Sequence, residues 1–260
     1  MSKKIVSVHN HKCTSGCPHK DVCYFVNGKH FDNPDENEAD KIEEVIEKIS
    51  DDIKVYYSGC DFMESFTTFA TKVWDDDRKH MTFSKNMLPH MKTMCGPNEI
   101  NKFNSKVQLT VYTYEDLINP ELKDMQKLFL IKNKDSYNIA MRIFKYDIDL
   151  NVHFPIAHNW AANNKDLLLV LINEWNNSNN PNLSLDSCLE NYVSNGTCVY
   201  SEEYIDLRYD GSVRRCPFSD ECHKINYENP DAMFDIEFKP NCIYGELFGR
   251  EEWRNGNTQK

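Results

Sequence analysis

The stretch KIVSVHNHKCTSGCPHKDVCYF, residues 4–25, joins a short apolar run to a loop that contains Cys13, Cys17 and Cys23. The apolar run at residues 4–8 predicts a buried β-strand. The three cysteines follow the spacing C-x3-C-x5-C, and a disulfide would use only two of the three thiols. Three thiols in one loop directly after a strand therefore favour a metal or a metal cluster over a disulfide.

Composition limits the compartment and the class of partner. Hydrophobic residues make up 40% of the 260-residue chain, which is ordinary for a globular protein. The 30 basic and 41 acidic side chains give a formal charge of -11, which argues against a broad electrostatic grip on nucleic acid or on an anionic membrane. No apolar run predicts a secretory signal or a membrane span. We therefore expect a cytoplasmic protein, in which ten reduced cysteines favour metal binding.

Alternating apolar and amphipathic stretches predict an α/β fold. Because strands alternate with helices, we expect a parallel sheet and, more specifically, a partial (βα)6 barrel. The asparagine-rich residues 176–182 predict a linker, so we expect a barrel domain at residues 1–180 and a smaller module at residues 181–260. Strands are predicted at residues 4–8, 53–59, 80–86, 106–113, 136–144 and 166–173, and helices at residues 39–50, 63–74 and 120–129.

Polar residues cluster at the predicted carboxyl ends of these strands, where ligands of α/β folds bind. The three-cysteine loop follows the first strand. The further polar positions at these ends are Ser58 to Asp61, Ser84 to Asn86, Thr110 with Tyr112, and Arg142. The sequence therefore predicts a binding site along this edge.

The chemistry of the three-cysteine loop leaves two metals open. Structural zinc takes four ligands, usually through C-x2-C pairs, and this loop has no such pair. His9, His11 or His19 would complete a zinc site. An iron–sulfur cluster tolerates longer spacings and prefers thiolates. Three thiolates would leave one iron of such a cluster open to a small molecule.

The loop and the strands resemble the radical S-adenosylmethionine (SAM) superfamily. Its usual cysteine pattern is C-x3-C-x2-C, from which this chain departs by three extra residues. VYYSGCD at residues 55–61, TFSKN at 82–86 and QLTVYT at 108–113 resemble the family's SAM-binding segments on strands two, three and four. The resemblance implies a SAM-binding [4Fe-4S] cluster on Cys13, Cys17 and Cys23, with SAM contacts from Tyr24, Ser58, Gly59, Asp61, Ser84, Asn86, Thr110 and Arg142. Core packing for Tyr24 and a surface salt bridge for Arg142 are the alternatives.

A second cysteine motif lies near the C-terminal end. Residues 198–216, CVYSEEYIDLRYDGSVRRC, have the pattern C-x12-G-x4-C, in which Asp210-Gly211 predicts a hairpin turn. This pattern resembles the opening motif of the SPASM and Twitch extensions of radical SAM proteins. We therefore expect a cysteine-rich β-hairpin module. The resemblance implies a second, auxiliary [4Fe-4S] cluster held by Cys198, Cys216, Cys222 and Cys242, and a zinc ribbon on the same four cysteines is the alternative.

The resemblance implies an enzyme that cleaves SAM reductively to a 5′-deoxyadenosyl radical and abstracts hydrogen from a substrate. Its reductant would be of the flavodoxin or ferredoxin type. Only about a dozen residues precede Cys13, which favours a small molecule or a nucleotide over a peptide as substrate. We expect no membrane partner, and a nucleic-acid partner is disfavoured although it stays open. A zinc-stabilised binding protein without catalysis and an iron–sulfur electron carrier are the competing classes of function.

Overall fold

A computed structural model describes residues 4–9, 18–19, 22, 38–58, 72–89, 98–146, 148–195, 204–216, 221–236 and 243–248. The chain forms two compact units. The first unit comprises Met1–Leu109 and Tyr200–Lys239, and the second comprises Thr110–Val199 and Pro240–Lys260. None of the described helices is long and apolar enough to cross a membrane.

The first unit is built on a mainly parallel sheet with the strand order β10-β9-β8-β1-β2-β3-β4. β1 lies between β2 and β8 and runs parallel to both along its whole length. β8 turns back into the antiparallel β9 through Asp210 and Gly211. The strands are β1 (Ile5–His9), β2 (Lys54–Ser58), β3 (Lys79–Ser84), β4 (Val107–Val111, which continues into the second unit), β8 (Tyr204–Arg208), β9 (Ser212–Arg214) and β10 (His223–Lys224).

Helix α1 (Ala39–Lys48) covers one face of this sheet. Its buried residues Ile42, Val45 and Ile46 recur at helical spacing, which gives the helix one apolar side. The hydroxyl of Tyr57 on β2 donates a hydrogen bond of 2.8 Å to Glu43 of α1. The sheet face that carries Tyr57 therefore faces α1. Helix α2 (Ile100–Lys106) and two 3₁₀ turns, Lys85–Met87 and Pro230–Asp235, complete the described elements of the first unit.

The second unit combines three short parallel strands with six helices among its described residues. The strands follow the order β5-β6-β7. They are β5 (Gln126–Phe129), β6 (Val152–Phe154) and β7 (Leu183–Leu185). The helices are α3 (Tyr114–Leu117), α4 (Lys134–Lys145), α5 (His158–Ala162), α6 (Lys165–Asn177), α7 (Ser187–Asn195) and α8 (Ile243–Phe248), with a 3₁₀ turn at Pro120–Leu122.

The predicted α/β class is confirmed, and β1 to β4 lie within one or two residues of their predicted positions. The strands predicted at residues 136–144 and 166–173 are wrong, because these residues belong to α4 and α6. Asn133 caps α4 by accepting a hydrogen bond from the backbone N–H of Ser136. The buried residues Leu168, Leu171 and Ile172 of α6 recur at the spacing of a helix rather than a strand.

Two of the six strands predicted for a partial (βα)6 barrel are therefore helices, and the structure does not show such a barrel. β5 lies in a stretch that was predicted to be helical, and the three-residue strands β6 and β7 were not predicted.

The C-terminal region also differs from its prediction. The antiparallel pairing around Asp210-Gly211 is present. However, β8 also pairs with β1, so the hairpin extends the sheet of the first unit. A separate cysteine-rich module is not shown, and the predicted domain boundary at residue 180 stays a prediction.

Candidate functional site

The two faces of the first unit's sheet differ in polarity. Successive residues of a strand point to opposite faces. Val6 and Val8 on β1 and Ile205 and Leu207 on β8 are buried on one face. The opposite face, which we call the polar face, carries Ser7 and His9 on β1, Tyr56 and Ser58 on β2, His80 and Thr82 on β3, Gln108 on β4, Asp206 and Arg208 on β8, and Ser212 and Arg214 on β9.

Such a face is unusual for a parallel sheet, whose strands are normally covered on both faces and apolar on both. The polar residues on β1, β8 and β9 are buried, and those on β2, β3 and β4 are half-buried. Burying polar groups costs free energy unless they are hydrogen-bonded. A polar sheet face that includes the carboxyl ends of β1, β2 and β8 is therefore the candidate binding site of this unit.

His9, at the carboxyl end of β1, links three strands of this face. Its Nε2 lies 2.8 Å from Oδ1 of Asp206 and 3.0 Å from Oγ of Ser7. Its Nδ1 lies 3.2 Å from the carbonyl oxygen of Ser58. The imidazole of His9 thereby bridges β2 and β8, with one ring nitrogen facing each of these strands.

Arg208 completes this group from the end of β8. Its Nε and Nη2 donate to Oδ2 of Asp206 over 2.9 Å and 2.6 Å, and both side chains are fully buried. Burial alone would raise the pKa of Asp206, but the charges and hydrogen bonds of His9 and Arg208 lower that pKa to about 2. Asp206 is therefore a carboxylate at neutral pH, held between the imidazole of His9 and the guanidinium of Arg208.

An aromatic pair lies on the polar face at Tyr56, two residues before the carboxyl end of β2, and His80 on β3. The rings of Tyr56 and His80 stack with centroids 5.0 Å apart and planes 19° apart. Burial, together with the charges of Lys54 and Lys106, lowers the pKa of His80, so this imidazole is neutral at neutral pH. The pair adds an uncharged aromatic part to the polar face that carries His9, Asp206 and Arg208.

The turn that follows β8 is fixed by close contacts. The backbone N–H of Tyr209 donates to the carbonyl of His9, and the carbonyl of Tyr209 accepts from the N–H of Glu38. Gly211 has a φ of +76°, and a Cβ there would lie 2.5 Å from Oε2 of Glu38. The hydroxyl of Tyr227 also hydrogen-bonds to Glu38. These contacts hold the end of β8 beside β1 and so position Arg208.

Among the predicted site residues that the structure describes, Ser58 contacts the charged group, because its carbonyl oxygen lies 3.2 Å from Nδ1 of His9. Ser84 has a structural contact, since its Oγ accepts a hydrogen bond of 3.2 Å from the backbone N–H of Asn86. The side chain of Asn86 is exposed. Thr110 is half-buried on β4, two residues after Gln108.

Arg142 does not lie at the end of a strand, so the premise that placed it in the site is wrong. It is an exposed residue of α4, and its guanidinium lies over the ring of Tyr114 at 4.9 Å from the centroid. The direction of the Arg142 side chain therefore follows the 3.6-residue period of a helix and not the two-residue period of a strand. Three further predicted SAM contacts, Tyr24, Gly59 and Asp61, lie outside the described residues.

Two of the seven predicted cysteine ligands are described. Cys216 is buried, and Cys222 is half-buried with its Sγ 3.6 Å from the carbonyl oxygen of His223. Within the described part of the chain, no three His, Cys, Asp or Glu side chains converge as a metal site would require. The other predicted ligands, Cys13, Cys17, Cys23, Cys198 and Cys242, lie outside that part.

Sequence reasoning did not select Asp206, Arg208 or Tyr56 as site residues. Their signal is the alternation of each strand: IVSVH on β1 and YIDLR on β8 place polar residues at every second position. That pattern is ordinary for an antiparallel strand with one solvated face, but it is informative once the strands are known to be parallel and buried.

The second unit has its own polar cluster after the strands β6 and β7. Asp186 accepts hydrogen bonds from the backbone N–H groups of Ile156, Cys188 and Leu189 at 3.1–3.2 Å, and one from Tyr244. Burial raises the pKa of Asp186, and these hydrogen bonds oppose that rise without cancelling it. The backbone partners indicate a carboxylate that caps α7.

Comparison with known proteins gives one partial similarity. This chain is 32% identical over 118 residues, 43% of its length, to the "Bifunctional pantoate ligase/cytidylate kinase" of Prochlorococcus marinus (strain MIT 9312). The matched region covers 22% of that relative. No family model matches the chain.

This similarity corrects the predicted function. The relative is named for ligase and kinase activities, and neither is radical SAM chemistry. The prediction of a radical SAM enzyme that cleaves SAM is therefore wrong. The predicted SAM and [4Fe-4S] cofactors and the flavodoxin- or ferredoxin-type reductant are tested neither by the similarity nor by the described residues, and they stay predictions.

Proposed function

We propose that this chain binds a nucleotide on the polar face of its first unit. The observation that carries the proposal is the buried group of His9, Asp206 and Arg208 on a mainly parallel sheet, a kind of sheet that is normally apolar on both faces. Fixed donors and a carboxylate on a rigid sheet are suited to orienting a polar small molecule. We also propose that the protein acts in the cytoplasm.

Two further observations support a nucleotide. The aromatic pair of Tyr56 and His80 lies on the same face, and aromatic side chains are frequent partners of nucleobases. The partially similar relative is named for a kinase of cytidylate, which is a nucleotide. Cytidine monophosphate (CMP) and ATP are therefore the first ligands to test, and transfer of phosphate from ATP to CMP is the first catalytic assay.

Hydrogen exchange with and without CMP tests the proposal on the unmodified chain. We expect CMP to slow exchange of the amides in β1, β2 and β8, while the amides of β6 and β7 in the second unit serve as an internal control. Protection confined to the second unit, or none at a CMP concentration that saturates binding, would contradict the proposal.

A matched pair of serine variants gives a second test. Ser58→Ala removes a half-buried hydroxyl of the polar face, whereas Ser50→Ala removes an exposed hydroxyl that donates to Asp52. We expect Ser58→Ala to weaken CMP binding by roughly two- to tenfold, as the loss of one neutral hydrogen bond would. Ser50→Ala should leave the affinity unchanged. Equal affinities for the two variants would count against the polar face.

A further inference from the structure

The hairpin of β8 and β9 carries an unusual set of buried arginines. Arg208 is 0% exposed, Arg214 2% and Arg215 6%. Arginine is almost never fully buried in proteins unless it is paired. These three residues lie on or next to the two strands and, with the buried carboxylates of Asp206 and Asp210, make the hairpin a densely charged part of the first unit.

Strand pairing assigns these arginines to faces. Asp206 on β8 lies opposite Arg214 on β9, so both project from the polar face. Arg208 is two residues after Asp206 and shares that face. Arg215 directly follows Arg214 in sequence, so the alternation of the strand does not assign it to the polar face. The polar face therefore carries two guanidinium groups, those of Arg208 and Arg214, with Asp206 between them.

The guanidinium of Arg208 has a defined orientation on the polar face. A guanidinium has five N–H donors, and Arg208 uses its Nε and Nη2 on Oδ2 of Asp206. Asp206 thereby fixes the plane of the Arg208 guanidinium. A guanidinium held in this way offers parallel N–H donors that match the oxygens of a phosphate.

We propose that Arg208 and Arg214 bind the phosphate group of the nucleotide on the polar face. This inference rests on the proposed function and adds which group of the ligand is recognised, and by which residues. His9, whose Nε2 lies 2.8 Å from the other carboxylate oxygen of Asp206, adds an imidazole on the neighbouring strand. The base then extends toward the Tyr56–His80 pair, which shares this face.

Titration calorimetry of the full chain with CMP, cytidine and inorganic phosphate tests the inference without any variant. We expect CMP to bind at least tenfold more tightly than cytidine, and phosphate to compete with CMP. Equal affinities for CMP and cytidine would overturn the phosphate site and leave the proposed nucleotide site standing. Phosphate binding without nucleotide binding would support the anion site and overturn the proposed function. Binding of none of the three would overturn both.

Variants of Arg214 assign the phosphate contact to a residue. Arg214→Gln should weaken CMP binding roughly ten- to a hundredfold, the loss expected for a charge-assisted hydrogen bond, and should leave cytidine binding unchanged. Arg214→Lys should give an intermediate loss, because lysine keeps the charge but not the planar fork. The matched control is Arg142→Gln, which changes an exposed arginine of α4.

The outcome is judged by the ratio of CMP to cytidine affinity, since a fold defect lowers both. An equal loss for CMP and cytidine in Arg214→Gln, or an unchanged ratio in a variant with a normal circular dichroism spectrum, would overturn the role of Arg214.

Discussion

Asp206 in the first unit and Asp186 in the second are acidic residues whose pKa values shift in opposite directions. Burial would raise the pKa of Asp206, but its interactions with His9 and Arg208 lower that pKa to about 2. Asp186 has backbone N–H groups and Tyr244 as partners, and burial raises its pKa. Burial acts on both in the same sense, so the charge of the partners decides the direction.

This difference separates a candidate ligand site from a structural cap. Apart from Tyr244, the partners of Asp186 are backbone groups of the helix that follows it and of the loop after β6, so these contacts stabilise local structure. The partners of Asp206 are side chains on two strands. Side-chain donors held in this way can also bind a ligand. Substitutions of Asp206, of Asp186 and of Gly211 in the turn after β8 test this distinction.

The largest effect is expected for Asp206→Asn. This change leaves His9 and Arg208 buried without their carboxylate, which should lower the free energy of unfolding by about 3–5 kcal/mol. Urea denaturation at pH 7 measures the loss. The control is Asp51→Asn, because the Asp51 side chain is fully exposed. A loss below about 1 kcal/mol would show that the charged group is not a strong interaction.

A pH series should show opposite contributions from the two carboxylates. The pKa of Asp206 falls from 3.8 to about 2, which corresponds to about 2 kcal/mol of stability. That stability is complete above pH 4 and is lost as the pH falls through 2. The raised pKa of Asp186 makes stability depend on pH in the opposite way. Its contribution to the free energy of unfolding is present at low pH and is lost as the pH rises through the pKa of Asp186 in the folded protein.

Urea denaturation of the wild type, Asp206→Asn and Asp186→Asn between pH 2 and pH 6 measures both contributions. The advantage of the wild type over Asp206→Asn should shrink below pH 4, while its stability relative to Asp186→Asn should improve as the pH falls. Parallel curves for the three proteins would contradict the assignment of opposite shifts.

A smaller loss is expected for Gly211→Ala. The φ of +76° disfavours alanine, and the added Cβ would lie 3.0 Å from the hydroxyl of Tyr227 as well as close to Glu38. We expect the free energy of unfolding to fall by about 1–2 kcal/mol. Gly245→Ala in α8 is the matched control, since the helix favours alanine and the Cβ would lie 3.1 Å from the Tyr192 hydroxyl. Equal effects for both variants would contradict the role of the β8–β9 turn.

The smallest effect is expected for Asp186→Asn at pH 7. Asparagine caps helices about as well as aspartate, and its amide oxygen keeps part of the backbone hydrogen bonding. We expect a loss of about 1 kcal/mol in urea denaturation. A loss as large as that of Asp206→Asn would remove the distinction between the two carboxylates.

The sequence predicted the first unit better than the second for a physical reason. β1 to β4 are five or six residues long, with apolar residues at every second position, and α1 has one apolar side. In the second unit, β6 and β7 have only three residues each, too few to establish a period. The apolar residues of α4 and α6 were mistaken for strands, although Asn133 signals a helix start.

The sequence predicted only part of the site. Polar residues at the carboxyl ends of the strands predicted a binding site, and Ser58 at the end of β2 does lie beside His9. Asp206 and Arg208 were placed in a separate C-terminal module, because a sequence does not reveal that β8 pairs with β1 across almost two hundred residues. The cysteine spacing predicted a site built on thiols, whereas the charged group that the structure describes consists of His9, Asp206 and Arg208.

A crystal structure of the full chain with CMP tests the central claim most directly. We predict CMP on the polar face of the first unit, with phosphate oxygens within hydrogen-bond distance of Arg208 and Arg214 and the base near the Tyr56–His80 pair. A CMP molecule bound on the second unit, or a polar face without CMP in crystals soaked above the measured Kd, would contradict the claim.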